Sequence, residues 1–167
     1  MAAILIRQAT QADFAFVAEH LREADAIEVR EAHHSDPGNI VRNGWRWGGW
    51  KKAVIADGHP VVLYGVAPSS RANCGIPWML ATDGIFSIHR AMLVKSRHEV
   101  ERMQQKYEVL MNQVHRDNAV SIKWLQWLGF EIDSTPNESN SSFFAFYRRR
   151  DSALPGNPKG SKHVRRS

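Results

Sequence analysis

The residues best suited to chemistry lie in one run, Asn118-Ala119-Val120-Ser121-Ile122-Lys123-Trp124-Leu125-Gln126-Trp127-Leu128-Gly129-Phe130. Asp117 or Asn118 can cap a first helical turn, with Ser121 three residues beyond Asn118. Ile122, Leu125 and Leu128 make an apolar stripe. Gly129 permits the left-handed residue that ends many helices, and Phe130 can then fold back onto the helix end. Other clusters carry less. His33-His34 near Asp36 has no second set of Cys and His at ligand spacing, which argues against a metal centre. The absence of a Gly-x-Ser-x-Gly turn removes the nucleophile elbow of a serine hydrolase. Trp45, Trp47 and Trp50 stand beside Arg46, Lys51 and Lys52, a set that suits an acceptor pocket, stacking on bases, or plain core packing. Asn112 and His115 close a strand-like run, where alternation puts them on opposite faces. No carboxylate stands out as a general base, although Asp83 sits near a strand end.

The elements that must position these groups alternate along the chain. Ala3 to Arg7 reads as a strand, and Thr10 with Asp13 as a near capping box. Phe14, Val17, Leu21 and Ala24 then fall at helical spacing, which predicts one amphipathic helix. A shorter helical piece carries Ile40 and Val41. Asp57-Gly58 between two β-branched runs predicts a hairpin over 52–66. Ile76 to Ala81 reads as a fourth strand, whose Pro77 calls for a strand end or an edge. A loop is expected up to Ser96, where Ser96-Arg97-His98-Glu99 has the form of a capping box. Val109 to Val114 is strand-like, 118–128 helical, and Phe143 to Tyr147 a last strand. This order predicts an α/β mixed sheet with helices on its faces.

The chain has 167 residues, a length suited to one domain with one core. No apolar run approaches the ~20 residues that span a bilayer. The start lacks the pattern of a secretory signal, and Cys74 has no partner for an internal disulfide, so the expected compartment is the cytoplasm. The net charge is +5, but residues 148–167 hold seven Lys and Arg against the single acid Asp151. Positions 1–147 therefore carry a net charge of −1. The division expected is a folded domain at 1–147 and a basic, disordered tail at 148–167. Such a tail can meet nucleic acid or an acidic protein, or simply aid solubility.

The segment 118–130, placed after the strand Val109 to Val114, resembles the end of the GNAT N-acetyltransferase fold. In that fold an Asn, a small residue three positions on and a terminal Gly-Phe recur. The opening Ile6-Arg7-Gln8-Ala9-Thr10 with Asp13 is similar to its first strand and helix start. The resemblance covers about residues 3–147 and implies a single domain with a V-shaped splay between the fourth and fifth strands. It implies acetyl-CoA as the coenzyme. Met79, Leu80 and Ala81 would meet the pantetheine, Ser87, Arg90 and Lys95 the phosphates, and Asn118 with Ser121 the arm. Two positions depart from the pattern. The segment 82–96 has one glycine and no Gly-x-Gly phosphate turn, and the place of the usual acidic Tyr is held by Leu125. Catalytic residues are not assigned, and the expectation is a degenerate coenzyme site.

A narrower resemblance rests on 77–83, Leu110-Met111-Asn112-Gln113-Val114 and 121–132. These stretches look like the internal virion protein A family of short-tailed bacteriophages, which are GNAT-like proteins of virion morphogenesis. It implies phage virion or assembly proteins as partners and the host cell cytoplasm or the virion as location. The alternative implied by the broader resemblance is an active acyl-CoA N-acetyltransferase with an unusual phosphate loop.

Overall fold

Thr10 caps the first helix as its spacing predicts. Its hydroxyl accepts from the Asp13 N–H, and the Asp13 carboxylate returns a bond to the Thr10 N–H. Asp13 also holds Arg7 at 2.6 Å, tying the first strand to that helix. The computed structural model describes residues 3–135 and 141–151. The chain begins with β1 (Ile4–Gln8), α1 (Gln11–Glu19), α2 (Glu23–His33) and α3 (Pro37–Arg42). A meander follows, β2 (Trp50–Ala56), β3 (His59–Pro68) and β4 (Cys74–Ala81). Then come α4 (His89–Lys106), β5 (Val109–His115), α5 (Ala119–Trp127), β6 (Glu131–Asp133) and β7 (Phe143–Arg149). The strands form one mixed sheet in the order β1-β2-β3-β4-β5-β7-β6, parallel only at the β4–β5 step.

Alternation along the strands divides the core between two faces. Ala53, Leu63 and Leu80 pack under Phe14 and Val17 of α1, Val29 of α2 and Val41 of α3. Val54, Val62, Tyr64 and Leu110 point the other way, beneath Met92, Val100 and Met103 of α4, with α5 alongside. β3 is therefore buried on both faces, which explains its unbroken apolar run. The hairpin turn is the expected two-residue one. Asp57 and Gly58 both have positive φ, 50° and 80°, so the turn matches the twist of its strands.

Several expectations change. The helix predicted to continue from Thr10 through Ala24 breaks at His20, because Leu21 leaves to bridge Thr82 and α2 starts afresh at Glu23. Ser96 caps nothing. It lies inside α4, donating its hydroxyl to the Leu93 carbonyl, and the helix begins seven residues earlier at His89. β6, three residues long, had no sequence signal of its own. The last strand runs past Tyr147 to Arg149, and Arg148 is 4% exposed and donates to Gln104. Residues 148–150 thus belong to the folded body, whereas the tail from 152 onward lies outside the described residues.

Asn118 caps α5 by accepting from the Ser121 N–H, and Gly129 ends the helix with φ 88°. Gly129 N–H donates to Gln126 and Phe130 N–H to Leu125, the paired bonds of a Schellman motif. A side chain at Gly129 would force an L-residue into the left-handed region. Gly129→Ala should lower stability by about 1–2 kcal/mol in urea unfolding, with no change in the slope of the transition.

Candidate active site

The site begins where the sheet fails to close. β4 and β5 pair only at Cys74↔Val109 and Gly75↔Leu110, and then part. Pro77 lies just beyond, and its carbonyl faces the gap, where Asn112 Nδ2 donates to it at 2.8 Å. Its ring nitrogen faces the same way and has no hydrogen to give, so no ladder bond is lost there. The expectation that Pro77 marks an edge therefore holds locally, inside a central strand. Farther along, the Ala81 N–H donates to Asp25 at 3.0 Å, and the Ala81 carbonyl accepts from the Arg22 N–H at 2.8 Å. Between these two occupied positions, alternation turns the Met79 N–H and carbonyl into the gap, where no described residue bonds them.

One carboxylate on α2 faces this gap in an unusual state. Glu28 Oε1 accepts from the His115 N–H at 3.0 Å and from Asn118 Nδ2 at 2.9 Å. No described residue bonds its Oε2. Burial raises the Glu28 pKa above its ordinary value, against the opposing bonds from Asn118 and His115. Asp25, one turn earlier, is also raised by burial, but Arg22 and the Ala81 N–H occupy its oxygens. His115 accepts from the Asp117 N–H through Nδ1, so Nε2 carries the proton and donates to Glu31 at 2.8 Å. His115 and Asn112 point to opposite faces of β5, as alternation requires.

The gap opens into a cavity of about 300 Å³ that crosses the sheet. Glu28, Ala32, His33, Trp47 and Trp78 line it on the α2 side, and Met92, Lys95, Val100, Ser121 and Leu125 on the side of α4 and α5. Trp47 packs edge-on against Trp78 at 5.0 Å, so it forms wall and core together. Trp78 Nε1 and Trp124 Nε1 are buried in residues that line the cavity, without a hydrogen-bond partner among the described residues. The Tyr64 hydroxyl is held well above its usual pKa by burial and by the charge of Glu99.

Of the residues singled out in the sequence, Met79, Leu80, Lys95 and Ser121 line this cavity. Ala81 does not, and both its backbone groups are occupied. Ser87 is exposed and donates to the Gly84 carbonyl, while Arg90 is exposed in the first turn of α4. Asn118 stands behind Glu28 and not on the cavity wall. Asp83 is exposed outside the cavity. The segment expected to replace a phosphate turn is a 3-10 helix, Asp83–Ser87, and it consumes its own amides. Gly84 N–H bonds the Thr82 hydroxyl, Ile85 N–H the Thr82 carbonyl and Ile88 N–H the Ile85 carbonyl. Sequence reasoning missed Glu28 and Asp25. Their signal was a row of acids, Asp25, Glu28 and Glu31, at three-residue spacing along α2, where Asp25 interrupts the buried stripe.

A mixed sheet with β4 and β5 splayed apart, helices on both faces and an open gap is the GNAT fold. Solved structures agree. A PaiA N-acetyltransferase from Thermoplasma acidophilum in complex with coenzyme A matches with TM-score 0.60 and 15% identity, over 88% of this chain and 99% of that one. A GCN5-related N-acetyltransferase from Kribbella flavida matches with TM-score 0.61 and 15% identity, over 88% and 98%. A ribosomal-protein-alanine N-acetyltransferase from Brucella melitensis matches with TM-score 0.59 and 20% identity, over 87% and 99%. No protein-family model matches the sequence, and no curated protein does. The fold expected from 118–130 is thus present, whereas the narrower resemblance to phage internal virion proteins gains no support.

The residues present fit the arm of an acyl thioester better than its phosphates. The unbonded Met79 peptide group offers a backbone donor and acceptor to such an arm, and the apolar lining suits its carbons. At the phosphate end Arg90, Lys95 and the uncapped start of α4 are available. Among the described residues no group of three or more His, Cys, Asp and Glu could hold a metal. No helix of the described chain is long and apolar enough to cross a membrane.

Removing the Glu28 carboxylate should separate its two jobs. Glu28→Ala leaves the His115 N–H and Asn118 Nδ2 without an acceptor and should cost about 1–3 kcal/mol in urea unfolding. Glu28→Gln keeps an acceptor oxygen and should cost less. Because the native pKa is raised, ionisation of Glu28 opposes folding, so this cost is absent below 4.5 and grows as pH rises through the native value. The wild type should therefore lose stability relative to Glu28→Gln across that window, and a pH series of unfolding curves measures it.

Proposed function

We propose that the chain is an acyl-coenzyme A-dependent N-acyltransferase with Glu28 as its general base. One observation carries the reading. The open gap brings the unbonded Met79 peptide group and the free oxygen of a buried carboxylate to one cavity. When bound, acyl-coenzyme A supplies an activated acyl carbonyl. Glu28 Oε2 takes the proton from the ammonium of the acceptor and frees the amine to attack. Burial raises its pKa in the direction that a general base requires. Asn118 and the His115 N–H hold Oε1 and so fix the direction of Oε2. The Met79 N–H presents a backbone donor to the arm, and Lys95 and Arg90 the charge for its phosphates. Leu125 gives no proton, so the leaving thiolate takes one from elsewhere in the cavity or from solvent.

Isothermal titration with acetyl-CoA, followed by turnover with a panel of primary amines, tests the reading. Glu28→Gln should lower kcat/KM by roughly 10²–10⁴. The wild-type profile should fall on the acid side at a pH above the ordinary carboxylate range, and that limb should vanish in the variant. Absence of both binding and turnover would overturn the reading.

A second reading keeps the fold and drops the catalysis. Leu125 and the spent amides of 83–88 favour it, and it matches the resemblance to phage proteins of virion morphogenesis. The partners would then be virion or assembly proteins in the host cell cytoplasm. Contact of the basic tail with nucleic acid or an acidic protein belongs to this reading too. It would appear as binding that weakens steeply with salt.

A further inference from the structure

The cavity is larger and more apolar than an acetyl group requires. It follows the inner face of α4 from Met92 to Met103, a run of about 16 Å at 1.5 Å per residue. Val100, Val114, Leu128 and Phe146 are among its apolar lining. Apolar space left empty forfeits the contacts of every atom that lines it. An apolar cavity of about 150 Å³ holds a benzene ring, so about 300 Å³ gives room for roughly a dozen carbon atoms, part of them in the thioester arm. Charge is scarce on this side. Lys95 lies at the exposed rim, and Glu99 is engaged by Lys52 and Arg102. The Tyr64 hydroxyl is directed toward Glu99, and the indole nitrogens of Trp78 and Trp124 are buried away from the open space. The walls here are the side chains of Met92, Val100, Met103, Val114 and Phe146, and they favour a hydrocarbon occupant. A sugar or a nucleobase would set polar groups against these apolar walls at a cost in desolvation.

We propose that the cavity takes the chain of a medium-length acyl group, roughly six to eight carbons, in preference to acetyl. This rests on the acyl-thioester reading above and names its donor class. Val100 and Met103 would set the chain length by closing the end of the cavity.

The experiment titrates the full chain with coenzyme A, acetyl-CoA, octanoyl-CoA and sodium octanoate. Octanoyl-CoA should bind at least tenfold more tightly than acetyl-CoA, because each buried methylene adds affinity. Val100→Phe should cut that preference at least tenfold. Where Val100→Phe does not fold, Val100→Leu, which adds one methylene at the same wall, should cut the preference in the same direction by a smaller factor. Equal affinity for the two thioesters would overturn the chain-length inference and leave the acyltransferase reading intact. Binding of octanoate without any coenzyme would support the acyl cavity and overturn the coenzyme reading. Binding of none of the four would overturn both.

Discussion

The site depends on β4 and β5 separating after two residue pairs. A parallel pair of strands normally continues its ladder, and each lost rung leaves a buried donor and acceptor to be satisfied elsewhere. Here the replacements are specific. Pro77 has no donor to lose, Asn112 bonds its carbonyl, and Asp25 with the Arg22 N–H completes Ala81. Met79 alone stays open. The gap is thus held by side chains and neighbouring backbone at both ends, with one peptide group between them left available. Asn112 and Asp25 reach it from opposite faces, so neither face can relax without disturbing the other.

The same logic governs the buried acids of α2. A carboxylate out of water is costly unless bonded, and each of these is bonded differently. Asp25 is neutralised by Arg22 within its own helix turn and serves the end of β4. Glu28 forms no ion pair among the described residues and accepts two N–H donors on one oxygen. The first arrangement consumes the charge for structure. The second leaves a charge that is oriented and incompletely satisfied, which is the condition a base requires.

Local signals in the sequence were reliable wherever the cause was local. The capping box at Thr10, the Asp57-Gly58 turn and the Gly129-Phe130 helix end each involve residues within a few positions, and each formed as expected. Ser96 with Glu99 shows the limit of such patterns. Serine can bond a carbonyl of the preceding turn inside a helix, so its side chain has a second outlet, and burial of Met92 draws the helix back to His89. Glu28 was invisible for the opposite reason. Its partners stand 87 and 90 residues away, and on α2 alone it looks like a solvated acid. The break after α1 is equally nonlocal, because Leu21 leaves the helical pattern only to meet Thr82.

Asn118 connects the legible part to the hidden part. Its carbonyl oxygen caps α5, and its amide nitrogen donates to Glu28, so both ends of one amide are committed. An Asp would retain the cap and set a second negative charge against Glu28, and a Ser could cap but would not supply the amide donor. The helix start and the orientation of the base therefore depend on the same side chain. Three residues on, Ser121 reaches the cavity, and one turn later Leu125 lines it without a proton to offer. The helix that gives the clearest mark of the fold thus orients the Glu28 carboxylate through its cap and provides an apolar wall farther along. One short helix sets an apolar wall beside an oriented, buried carboxylate.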